Sequence, residues 1–491
     1  MESLQLAGVL VVFLIMSGLM FFRKIPALLA LPIMAFFIPL ISGVSPEHVL
    51  TFVLGQGSTR LSEAYTIAIF GSMLSILLQK TGVAENFIKL GAELAGDKPW
   101  TIAMVMMLFI ILLFTTLGGL GAIIMVSTVV LPILISVGLS PITTVGVFLL
   151  GLSIGGILNV GNWAVYIEVL KLTPDEVRFF ALIMFAISFL VAAVYLTIQL
   201  YRDGHDINFK KILLYLALLI LLSFLYLPLR SMVDEKSADK LAFLTASAFE
   251  ALKYLILAGL FLVTLFSLKR IFSAKTKPGI FWGAYLIPVV PLLLILVFEM
   301  NFIAAFITGL IYGFLTTYQK NSINILVRSI LEGGSVVMPA VALMLGIGML
   351  LNAVMGPSGN AASLHYPTGW PVLSLLKPVI SSIIPTGKLS YIITFGLAAP
   401  LALYRGPLNV WGMGYGIAAI LLASGMVPGA IMGMLLSVGQ IQGISDPTNT
   451  QNVWLANEMR VEVQKILWNT IAYTWCIAVL GLAVSAFIYY P

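Results

Sequence analysis

The chain has 491 residues, 60% of them hydrophobic and only 9% charged, against roughly 25% charged in soluble globular domains. With a mean hydropathy of +1.08, this excludes a soluble reading and makes the chain an all-α polytopic membrane protein whose first partner is the lipid bilayer. The net charge of +6 sits in basic residues that flank helices, so it reads as a loop bias, and no nucleic-acid partner is expected.

Leu6 to Phe22 is the first apolar run. No basic stretch precedes it and no small-residue cleavage site follows before Arg23-Lys24, so it is expected to be the first helix and not a leader. Ile212 to Leu229, Ala251 to Leu268 and Ile466 to Tyr489 also approach or exceed the ~17 to 25 residues a spanning helix needs. In all, about 12 spanning helices and two hairpins are expected.

Thr101 to Val137 and Leu389 to Ser424 are apolar arms around a tip, Leu117-Gly-Gly-Leu-Gly121 in the first and Tyr404-Arg-Gly-Pro-Leu-Asn409 in the second. Each is either a re-entrant hairpin or two full helices joined by a tight loop, and the crossing parity is the same for both. After each comes an apolar helix broken by polar and turn-forming residues. The first break is Gly155-Gly-Ile-Leu-Asn-Val-Gly-Asn162; the second runs from Gln440 to Asn452 through Ser445-Asp-Pro-Thr-Asn-Thr450. Pro447 cannot continue a helix and restrains the residue before it, so the backbone opens there. A bilayer tolerates unwound backbone only where it is buried in protein or lines a cavity. Transporters build binding sites this way, with freed carbonyls for a cation and half-helix N-termini for an anion.

The second half repeats the first. Ala27 and Ala304, Leu54 and Leu331, Gly57-Ser58 and Gly334-Ser335, Gly71 and Gly348, and Leu74 and Leu351 all share one spacing of 277. Leu152-Ser-Ile-Gly-Gly-Ile157 answers Leu436-Ser-Val-Gly-Gln-Ile441 at a spacing of 284. The basic loops, at 23–24, 80–98, 202–211, 269–277, 320–328 and 460–465, are placed in the cytoplasm. On that assignment the 23–24 turn lies inside and its repeat partner near Glu299-Met-Asn301 lies outside, as do both termini and the loop Arg230 to Lys240, so the repeats are inverted. The expected organisation is a first repeat over 1–200, connecting helices and loops over 201–279, and a second repeat over 280–491.

The order hairpin then interrupted helix, twice and inverted, resembles the ion transporter superfamily, which includes the divalent-anion/sodium symporters and the gluconate permeases. Ser445-Asp-Pro-Thr-Asn-Thr450 resembles the interruption of the former. Trp454-Leu-Ala-Asn457 through Val461-Glu-Val-Gln-Lys-Ile-Leu-Trp-Asn-Thr470 to Leu480-Gly-Leu482 resembles the tail of the latter. Tips 118–121 and 405–409 fall where the symporters carry Ser-Asn-Thr signatures, and neither tip has one, which leaves the sodium sites and hence the coupling ion open. What the resemblance implies is a substrate held between tips and interruptions, by Gly119, Gly121, Asn159, Asn162, Arg405, Asn409, Thr448 and Asn449, with Gln442, Ser445, Asp446 and Thr450 serving the coupling ion.

Arg405 is either a mid-membrane guanidinium matched to a carboxylate by its bidentate fork or a cytoplasmic residue of a fully spanning hairpin. Asp446 is either an ion or proton carrier or a cap of the half-helix that follows it. Arg60 with Glu63, and Lys388, are read as snorkelling residues near helix ends. Glu168, Asp175 and Glu176 are read as loop or cap residues. Met104 to Met107 is read as packing or lipid-facing surface, and Gly412, Gly414 and Gly416 as a close-packing stripe.

Cys476 is the single cysteine and the three histidines are scattered, so no disulfide or metal cluster is expected. There is no P-loop, no catalytic cluster within the membrane, and no cofactor beyond a coupling ion, proton or sodium. The expected function is cation-coupled symport of a small organic anion, such as a sugar acid or carboxylate, across the plasma membrane, that of a bacterium by default. A homodimer is left open. A sodium/proton antiporter on the same scaffold is the alternative, and a membrane-embedded enzyme is not expected.

Overall fold

A computed structural model describes residues 2–22, 24–94, 96, 98–206, 235–272, 280–319, 321–357, 366, 369–381, 384–410 and 414–490. The regular elements among them are all helical. Among the described residues, seven helices are long and apolar enough to cross a membrane, or eight if Pro141–Ile157 and Val160–Leu170, bent by 50° at their junction, count as one span. About twelve spans are expected over the whole chain. The apolar helices Ala27–Ile41, Pro99–Phe114 and Phe302–Thr316 are short, and the run 212–229, with Arg23, His365 and Gly412, lies outside the described residues. Glu235–Phe272 is one helix of 38 residues, so the loop expected to reach Lys240 is helical from 235 onward, in line with the helix-forming Glu, Ala and Lys there.

The first helix spans Glu2–Phe21. The first hairpin is Pro99–Phe114 followed by Gly119–Ser136. At 16 residues its first arm rises only about 24 Å, short of the ~30 Å hydrocarbon core. The second hairpin is Lys388–Ala398, a 3₁₀ segment from Ala399 that ends where Leu403 becomes extended, and Tyr415–Ala423. The broken helices are Pro141–Ile157 with Val160–Leu170, and Pro428–Ser445 with Thr450–Glu458.

The segments that share the 277 spacing lie against each other. A side chain at Gly57 would come within 2.7 Å of the Met349 backbone, and one at Gly333 within 2.6 Å of the Met73 backbone, so 57–73 and 333–349 run antiparallel in close contact. Small residues let the backbones approach this far, which in lipid supplies the packing that a hydrophobic effect between helices cannot. Pro46–His48 leads into a π-helical turn over Val49–Gly55. The Asn352 amide donates to the Phe52 carbonyl of that turn at 2.8 Å.

Arg60 does not snorkel as its place near a helix end suggests. It donates to the Asn352 side chain and, at 3.4 Å, to the Gly356 carbonyl, closing the C-terminal end of helix Ser322–Met355 where carbonyls lack helical partners. Lys388 lies 5.4 Å from the Phe487 ring. Glu176 completes a capping box with Thr173, as a cap reading requires, and Met104, Met106 and Met107 are buried packing residues.

Candidate functional site

Both hairpin tips meet the breaks, and each junction is held by one side chain from the break. In the first half Asn159, at the start of Val160–Leu170, donates from its amide to the Phe114 carbonyl at 3.0 Å and the Leu117 carbonyl at 3.3 Å, and accepts from the Gly161 N–H at 2.9 Å. Those two carbonyls end the first hairpin arm, where a helix has no partners of its own for them. Asn162 closes back onto the Gly156 carbonyl at 2.9 Å. Gly119 begins the second arm with φ +82, a left-handed conformation that suits glycine.

In the second half the corresponding strut is Asp446, fully buried. Its Oδ1 accepts from the Tyr404 N–H at 3.0 Å, the Thr448 N–H at 2.9 Å and the Thr448 hydroxyl at 2.7 Å. Its Oδ2 accepts longer contacts of 3.4 Å from the Arg405 N–H and the Asn409 amide. The turn it grips has Tyr404 and Arg405 both left-handed, φ 55 and 56. Gly406 follows, where a Cβ would collide with the Leu401 carbonyl. Two consecutive left-handed residues that are not glycine cost on the order of 1–2 kcal/mol each, and the carboxylate supplies the N–H acceptors that hold them.

The rest of the second break is similarly knitted. Asn449 donates to the Gln442 carbonyl and the Gln442 side chain accepts the Val410 N–H. Ser445 bonds Thr470 at 2.8 Å and Thr474 at 2.9 Å. The two long arms meet where Ser153 donates to Gln440 Oε1 at 2.8 Å.

These junctions enclose a cavity of about 770 Å³, within the 300–1,000 Å³ typical of small-molecule sites. Of the residues expected to hold substrate, Gly119, Asn159, Asn162, Arg405, Asn409, Thr448 and Asn449 line it, as do Gln442 and Thr450 of the ion-coupling set. Gly121 does not, and Ser445 and Asp446 lie behind the lining, fully buried. Within that lining, several of the amides are engaged inside the protein: Asn159, Asn409 and Asn449 all donate to backbone carbonyls. What faces the cavity with capacity to spare is different. Arg405 is exposed and, among the described residues, no carboxylate is within ion-pair distance of its guanidinium. Helices Gly119–Ser136 and Thr450–Glu458 begin at the cavity without side-chain caps, each carrying about half a positive charge at its start. Arg405 is the single charged residue in the described lining.

Sequence reasoning marked Gln440 and Gln451 only as part of the second break, and missed Ser153, Tyr166 and the apolar part of the lining from Met20, Ile25, Ala27, Pro339, Ala340 and Leu343. Ser153 and Gln440 did sit in the paired stretches 152–157 and 436–441, a usable signal. The apolar residues carry none, because one Leu in an apolar run looks like any other.

Fold and cavity together define a multi-pass, all-helical membrane protein with a polar-lined cavity between its broken helices. No family model matches the sequence and no curated protein matches it. Solved structures do match, among them one described as the crystal structure of the Alcanivorax borkumensis YdaH transporter with an unusual topology. It is similar over 90% of this chain and 88% of that one, with a TM-score of 0.55 and 13% identity. At that identity the likeness is one of fold.

Proposed function

We propose that the protein is a secondary transporter that moves a small organic anion across the plasma membrane in symport with a proton or sodium ion. The anion occupies the central cavity with its carboxylate on Arg405 and the uncapped starts of Gly119–Ser136 and Thr450–Glu458. The halves are inverted repeats, the hairpins are re-entrant, and the coupling ion belongs to the break that carries Gln442, Ser445, Asp446 and Thr450. The observation that carries the reading is the cation at the cavity: Arg405 with two uncapped helix starts, and no acidic side chain in the described lining. A guanidinium kept in a membrane cavity with no carboxylate partner among the described residues is retained for a ligand of opposite charge. An antiporter that carries only cations would need no Arg at the site.

Thermal stabilisation of the purified protein by a panel of carboxylates, with and without sodium, tests this. A ligand at a hundred times its Kd stabilises by about 2.7 kcal/mol. Stabilisation by at least one carboxylate, lost in Arg405→Gln, is expected. No response to any member of the panel counts against the reading.

A further inference from the structure

Resting on that reading, we infer that the transported anion is an amphipathic monocarboxylate: one carboxylate on an apolar body of several carbons, and neither a polyhydroxylated sugar acid nor a dicarboxylate. Two features of the cavity carry this, its charge and the way its lining is divided among elements.

The charge suits one carboxylate. Arg405 contributes one positive charge and the two uncapped helix starts about half each, while Asp446, directly behind the turn and bonded to its N–H groups, contributes one negative charge. The sum is on the order of one net positive charge. A second carboxylate has no second cation to meet, since the described lining holds no Lys, His or other Arg.

The polar groups come from the two breaks, the turn of the second hairpin, and Ser153 and Tyr166 on the two arms of the first broken helix. Two other elements contribute nothing polar. The N-terminal helix pair presents Met20, Ile25 and Ala27, and the middle of Ser322–Met355 presents Pro339, Ala340 and Leu343. None of the six carries a side-chain hydrogen-bond donor. Sugar hydroxyls placed against them would leave water without replacement bonds, and sites reject such groups because each unpaired buried polar atom is costly. Alkyl or aryl carbons gain there. Of the lining amides that could serve a polyol, Asn159, Asn162, Asn409, Gln440 and Asn449 donate to backbone carbonyls and the Gln442 oxygen accepts the Val410 N–H, so among the described residues Gln451 is the amide left for a hydroxyl.

The test is binding to the full chain in nanodiscs, with protein-free nanodiscs as the partition control, using acetate, butanoate, hexanoate, gluconate and adipate. Hexanoate and gluconate match in carbon number and charge and differ in hydroxyls; adipate adds a second carboxylate to the same length. Affinity should rise about fourfold per methylene from acetate to hexanoate, with gluconate and adipate at least tenfold weaker than hexanoate. Leu343→Ser should flatten the alkyl series, and Arg405→Gln should abolish binding across it. Gluconate or adipate binding as tightly as hexanoate, or an alkyl series without slope, overturns the inference while leaving anion transport standing. No binding of any of the five overturns both.

Discussion

Replacing Asp446 by Asn separates two jobs this residue can have. The carboxylate accepts three bonds of 2.7 to 3.0 Å and two of 3.4 Å, and two of these come from the left-handed residues Tyr404 and Arg405. Bonds to a charged acceptor contribute about 1.5–3 kcal/mol and neutral ones about 0.5–1.5. An amide oxygen can keep the three shorter bonds at the neutral level, a loss of about 1 kcal/mol each. Its NH₂ then faces the Arg405 N–H and the Asn409 amide, donor against donor. The total, roughly 3 kcal/mol, is comparable to the 2–4 kcal/mol that two left-handed residues cost. The turn should therefore relax and carry the guanidinium away from the cavity, weakening anion binding tenfold or more. Glycine at 404 removes most of that strain, so Tyr404→Gly added to Asp446→Asn should recover part of the affinity. The assay is titration of a carboxylate that the parent protein binds, across parent, single and double variants. Unchanged affinity in Asp446→Asn with loss of uphill uptake makes Asp446 an ion carrier and refutes the brace; so does absence of any recovery in the double variant.

Arg405→Lys keeps the charge and loses the planar fork, so substrate affinity should fall about tenfold while the melting temperature holds; unchanged affinity moves the anion site elsewhere. Asn159→Ala strips the Phe114 and Leu117 carbonyls of their donor and should destabilise the protein by about 1–3 kcal/mol, read as a lower melting temperature and faster proteolysis at 115–118. Gly348→Leu forces a side chain against the Gly57 carbonyl and should cost about 1–3 kcal/mol or more, whereas the same change at Gly334, which has open space around it, should be nearly silent. Equal effects at the two positions would remove the close-packing account of this helix pair.

The two breaks were legible because a bilayer forbids Gly, Asn, Pro and Asp in lipid-facing backbone, so their appearance inside apolar runs has few explanations. The helices end at Ile157 and Ser445, within the stretches the sequence marks. Arg405 and Asn409 stood out for the same reason, as polar residues at a tip between apolar arms. The bond from Asp446 to the Tyr404 N–H was not legible: it joins positions 42 apart through backbone, and no residue type announces a left-handed tyrosine. Arg60 was misread because its partners, Asn352 and Gly356, are nearly three hundred residues away, whereas snorkelling depends only on nearness to a helix end.

Solute accumulation in proteoliposomes tests the central claim most directly. With an imposed inward proton or sodium gradient, labelled carboxylate should concentrate inside, collapse when the gradient is dissipated, and fail to concentrate with Arg405→Gln in place of the parent protein. Gradient-driven uptake that Arg405→Gln supports as well as the parent, or no gradient-driven uptake of any carboxylate by the parent, contradicts it.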